Sequence, residues 1–204
     1  VRLFDFAEDV AQELFGVLEE KFPESAITWD TMAREVLKTG VNECTGKYLE
    51  GLEKLPSKEL IQLAFSTLTE CARLYPKSIV RITKNILKLL EAGKERGLLG
   101  PEHYKFWLQL LDEEVHAAKK TEIVSDAVAK YPHSVDIRTE QLMSTSNRAS
   151  KMSKDRGSKA LMKDFSEAVE ALKEDQEGSV RIWEVMLGLV DTEIGWSMLA
   201  EEGG

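Results

Sequence analysis

Residues 101–132 read PEHYKFWLQLLDEEVHAAKKTEIVSDAVAKYP. Tyr104, Trp107, Leu108, Leu111 and Val115 recur at spacings of three and four, one stripe of a 3.6-residue period, and predict an amphipathic helix over 102–117. Pro101 suits the first turn, where a missing N–H costs little, and Glu102 complements the positive end of the helix dipole. Ile123, Val124, Ala127, Val128 and Tyr131 make a second stripe after a polar break at about 118–121, and Pro132 stops it. The unit is a helical hairpin. A lone hairpin cannot bury both stripes, so it needs neighbours.

Anchoring on the terminal proline finds copies. Phe15, Leu18, Glu19, Phe22 and Pro23 share their offsets with Tyr48, Gly51, Leu52, Leu55 and Pro56, and with Val124, Ala127, Val128, Tyr131 and Pro132. A degenerate copy runs through Phe165, Ala168, Val169 and Leu172, with Lys173 in the proline's place. Trp29, Trp107 and Trp183 fall in first-helix positions, each with an apolar residue three further on (Met32, Leu110, Met186). Pro23 to Pro56 is 33 residues and Pro56 to Pro132 is 76, or two periods of 38. Periods in this range mark stacked helical pairs. Trp29, Tyr48, Trp107 and Trp183 are accordingly assigned to the repeat core.

Helices are predicted near 4–22, 25–38, 42–55, 57–75, 77–94, 102–117, 120–131, 134–145, 158–173 and 179–190, with breaks at prolines and glycines. No useful strand alternation interrupts them. The expected fold is all-α: a right-handed α-α superhelix, or solenoid, of about five hairpins in a single domain spanning 1–204. The start inside a helical pattern and the closing AEEGG suggest a piece of a longer array. Leu3, Phe4 and Phe6 at one end, and Ile194, Trp196 and Met198 at the other, look uncapped and predict self-association of the isolated fragment. The segment NRASKMSKDRGSKALMK (147–163) holds six basic residues against Asp155, several serines and a glycine. It predicts a flexible basic linker, at about 146–158.

The chain has 204 residues, 43% of them hydrophobic, and a net charge of −9. That length supports a continuous core, and no apolar run is long enough for a membrane span. The net charge argues against whole-surface nucleic-acid binding. Cys44 and Cys71 lack metal spacing and read as reduced structural thiols of an intracellular protein. His103 and His116, thirteen residues apart on one predicted helix, stand about 20 Å apart along its axis and cannot share an ion. His133 falls in a loop. The run Asp112, Glu113, Glu114 points in different directions and reads as a solvated face. No phosphate loop, nucleophile elbow or catalytic triad pattern is present. No catalytic, cofactor-binding or metal-ligating residue is therefore expected, nor a small-molecule substrate.

One polar feature is sharper. Lys77, Arg81, Lys84 and Lys88 cluster on one side of a helical wheel, opposite Ile79, Ile82, Ile86 and Leu90. Such a stripe is either a contact surface for phosphates or an acidic partner, or an ordinary solvated face.

FWLQLLDEE and KYLEGLEKLP, with Trp107, Leu110, Glu113 and Glu114 in the first and Gly51 where alanine is commoner in the second, resemble the two helices of HAT (half-a-TPR) repeats. The resemblance covers roughly residues 40–190. It departs from the pattern at Leu60, where tryptophan is usual, and in lacking most second-helix arginines. The HAT family consists of RNA-processing scaffolds. Within it, CTGKYLEGLEKLPSKELIQLAF and LLGPEHYKFWLQLL are most similar to a member serving the small-subunit processome. The resemblance implies a nucleolar, non-enzymatic scaffold in ribosome biogenesis. Its partners would be protein subunits of a large ribonucleoprotein, with U3 and pre-ribosomal RNA met indirectly or at the periphery. Two alternatives stay open: a scaffold of pre-mRNA splicing or 3′-end processing, and a TPR-like peptide-binding module. The second would need clamp residues where first helices offer Asp30, Glu35, Asp112 and Glu114.

Overall fold

A computed structural model describes residues 2–112 and 115–190, with side chains from position 10 onward save 11, 12 and 190. The elements are α1 (Arg2–Lys21), α2 (Ala26–Val36), α3 (Val41–Lys54), α4 (Lys58–Leu74), a 3-10 turn (Pro76–Ser78), α5 (Ile79–Glu95), α6 (Pro101–Leu110), α7 (Ala117–Lys130), α8 (Val135–Ala149), α9 (Lys154–Ala171) and α10 (Gln176–Val190). The described residues contain no strand. The fold is all-α, a helical-repeat architecture built from hairpins. Its contacts divide it into two compact units, Val1–Leu99 and Gly100–Gly204, where the sequence predicts one array.

In the first unit, α2 pairs with α3 and α4 with α5; α4 also packs on α2 and α3, and α3 on α5. Each hairpin thus buries its second stripe against the next. Serine caps set the register: Ser25 accepts from Thr28 N, and Ser57 from Glu59 N and Leu60 N. Trp29, fully buried, donates its indole N–H to the Pro23 carbonyl at 3.0 Å. Gly51 of α3 faces that indole so closely that a Cβ there would lie 2.9 Å from its ring atoms. The glycine is what lets the indole approach the α3 backbone so closely.

In the second unit, α6 pairs with α7 and α8 with α9, while α8 also packs on α6, α7 and α10. Ser134 caps α8, and Arg138 repeats the Trp29 device by donating Nε–H to the Pro132 carbonyl at 2.9 Å. Trp107 is 1% exposed. The tryptophans nevertheless occupy different registers: Trp29 stands four residues after its cap Ser25, Trp107 seven after Gly100. Trp183 departs from the predicted core position altogether, at 51% exposure. Ile182 and Met186 take the inward face of α10 against Leu142, Leu161 and Phe165. Trp183, one residue round the helix, makes a T-shaped contact with Phe165, at 4.7 Å between centroids.

Two other expectations are corrected. Helix α6 ends at Leu110, not 117, and Val115 is 77% exposed rather than part of the stripe. Asp112 ends it: its carboxylate accepts from Val115 N at 2.9 Å, a local turn that competes with helix continuation. His116 consequently opens α7 instead of sharing a helix with His103. The predicted flexible linker at 146–158 is mostly helix, because α8 runs to Ala149 and α9 starts at Lys154. Gly157 is a crossing point rather than a hinge. A Cβ on it would lie 2.9 Å from the Ala149 carbonyl oxygen and 3.0 Å from the Ala149 Cβ. The apolar residues at either end, Leu3, Phe4, Phe6, Ile194, Trp196 and Met198, lie outside the described side chains.

Candidate functional site

Most buried polar groups serve the fold. Tyr48 of α3 donates its hydroxyl proton to Asp30 of α2 and stands 3.0 Å from the Thr67 hydroxyl of α4, joining three helices. Burial, then the Asp30 bond, pushes its pKa far above the usual phenol range. Tyr104 bonds Asp126 in the same way, and Lys130 donates to the Tyr104 oxygen at 2.9 Å. Cys44 and Cys71 are free and buried; burial raises the Cys44 thiol to about 12, so it is no thiolate nucleophile.

His103 is a helix cap that the sequence analysis does not identify. The Gly100 N–H donates to its Nδ1 at 3.1 Å, a bond only an unprotonated nitrogen accepts. Burial lowers its pKa, against the weaker opposing pull of Glu102. The unfolded imidazole therefore takes up a proton near pH 6.5 while the folded one still resists it. The stabilisation is complete above that pH and is lost as pH falls through the lower folded value. Thermal unfolding at pH 7 and pH 5 should show a fall in the midpoint that His103→Gln reduces, since glutamine retains the capping acceptor.

The basic stripe is different. Helix α5 turns Ile82, Ile86, Leu89 and Leu90 into the core of the first unit and Arg81, Lys84 and Lys88 outward; Ile79, at its first turn, is 45% exposed. Lys77 joins them from the preceding 3-10 turn. With Ser78, Val80, Asn42 and Asn85, these four cations line a concavity of about 630 Å³, with no carboxylate among the described lining residues. None of the four forms an ion pair with a described residue, whereas Lys47, Lys54, Lys105 and Lys130 all do. The geometry gathers all four predicted contact residues at one place.

At its base lies a feature legible only in three dimensions. Asn85, 2% exposed on the buried side of α5, donates Nδ2–H to the Arg81 carbonyl and to Oδ1 of Asn42, both at 2.9 Å. Its own Oδ1 is buried and has no hydrogen-bond partner. The signal in the sequence was a polar residue in the Ile82–Ile86–Leu89 stripe; its partner stands 43 positions away.

The model of the C-terminal region of U3 small nucleolar RNA-associated protein 6 matches residues 42–188. The chain belongs to that family. Membership runs from α3 into α10, takes in both units, and opens at Asn42, so every residue lining the concavity falls inside it. The family consists of ribosome-biogenesis factors acting in rRNA processing, components of the nucleolar small-subunit processome. Searches of curated proteins and of solved structures return no match. Among the described residues, no helix is long and apolar enough to cross a membrane.

Proposed function

We propose that the chain is a non-enzymatic helical scaffold of the small-subunit processome, acting in the nucleolus in U3-dependent pre-rRNA processing. The family match over 42–188 carries this reading. The structure supports the scaffold role: stacked hairpins present extended surface, and groups such as Tyr48, His103 and Tyr104 are engaged in holding helices together. Its main partners are protein subunits of the same ribonucleoprotein. Lys77, Arg81, Lys84 and Lys88 form a contact face for an anionic component.

Affinity purification of the native protein followed by RNA sequencing tests the assignment. U3 and pre-ribosomal RNA should be enriched together. Enrichment of spliceosomal RNA, or of no RNA above background, would overturn it.

A further inference from the structure

We propose that the α5 concavity binds the sugar–phosphate backbone of single-stranded RNA, with Lys77, Arg81, Lys84 and Lys88 on successive phosphates and the buried Asn85 carbonyl oxygen accepting from a ribose 2′-hydroxyl. This deepens the contact face proposed above and rests on that reading.

Charge comes first. The chain carries a net charge of −9, yet four cations converge here without a carboxylate among the described lining residues. Left unpaired, like charges at i,i+3 and i,i+4 repel, so an external anion has more to offer here than on a paired helix face. Arg81, Lys84 and Lys88 follow one another at about 4.5 and 6 Å along the α5 axis. That rise suits an extended polyanion better than one compact anion. The positive end of the α5 dipole adds to the field, and its N-cap Ser78, also a lining residue, makes no side-chain capping bond.

Asn85 identifies the kind of polyanion. Its two N–H donors are spent inside the protein, and only the acceptor is unmet. Phosphate oxygens have no proton to give. A ribose 2′-hydroxyl donates, repeats with the phosphates, and is absent from DNA. A peptide N–H would also donate, but protein partners anchor through apolar or aromatic side chains in desolvated pockets. Val80 is the only apolar residue among the described lining residues. No aromatic ring stands among its described lining residues for base stacking, so recognition follows the backbone and not the base sequence.

The test is fluorescence anisotropy on the 204-residue chain with labelled oligouridylate of about twelve nucleotides, its deoxy and 2′-O-methyl counterparts, and an oligoglutamate peptide. Oligouridylate should bind most tightly, with an affinity that falls against log salt at a slope of about −3 for four phosphates. Deoxy and 2′-O-methyl strands should bind several-fold more weakly, a comparison that needs no protein variant. Reversing Arg81, Lys84 and Lys88 together to Glu should cost about 100-fold or more at low salt while leaving helicity and melting nearly unchanged, since exposed charges contribute little to stability. Asn85→Ala should bring RNA down to the affinity of DNA. Equal affinity for the three strands, RNA binding unaffected by the triple reversal, or oligoglutamate bound in place of RNA would each overturn the proposal. Failure here with U3 still co-purifying leaves the scaffold assignment intact. Binding in vitro without U3 co-purification would sink the assignment and spare the groove.

Discussion

Trp107→Ala should remove about 3–5 kcal/mol from the stability of the second unit, the usual cost of truncating a buried aromatic side chain. The indole is 1% exposed on α6, which packs on both α7 and α8, and the Lys119 ammonium sits 5.8 Å from its ring centroid. Truncation deletes the largest side chain at this three-helix contact, and neighbouring Tyr104 is held in place by Asp126 and Lys130. Collapse into the space is therefore limited. Against a typical total of about 5–15 kcal/mol, the loss is a large fraction. Denaturant unfolding by circular dichroism, with hydrogen exchange to place the loss in residues 100–190, is the measurement. A variant of normal stability that loses only partner binding would mean that Trp107 is a contact residue and not core.

Gly157→Val should cost about 3 kcal/mol, the upper end for overpacking a crowded site. Even the first added carbon meets the backbone carbonyl of Ala149, which cannot swing aside as a flexible side chain would. The size of the loss is the informative part. A flexible linker is as free in the folded chain as in the unfolded one, so replacing its glycine would leave stability nearly unchanged. An unchanged melting temperature would restore the linker reading of 146–158; a marked loss supports the α8–α9 crossing.

The contrast between these two sites shows what the sequence could convey. All ten helices of the described residues were legible, because an apolar stripe at 3.6-residue spacing, punctuated by Pro23, Pro56, Pro76 and Pro132, has one physical solution. The end of α6 was not, since periodicity from Tyr104 to Val115 cannot register a side-chain bond from Asp112 that competes with the next turn. Around Gly157, small residues and serines signal a loop and a close helix crossing equally well. Trp183 was misplaced because proline offsets align helices only to within a residue or so, while one residue rotates a side chain by about 100°. In the groove, the four cations were visible as a wheel pattern. Asn42 and Asn85 were not, because their pairing exists only once α3 and α5 pack together.

The role proposed for this chain is in U3-dependent pre-rRNA processing. Pulse-labelling of pre-rRNA after depletion of the native protein, with rescue by wild type or by the triple charge reversal, tests it most directly. The account predicts that depletion stalls the early cleavages and starves the cell of small-subunit rRNA, that wild type restores both, and that the charge reversal restores them incompletely. Normal early cleavage and normal small-subunit rRNA in the depleted cells would contradict it.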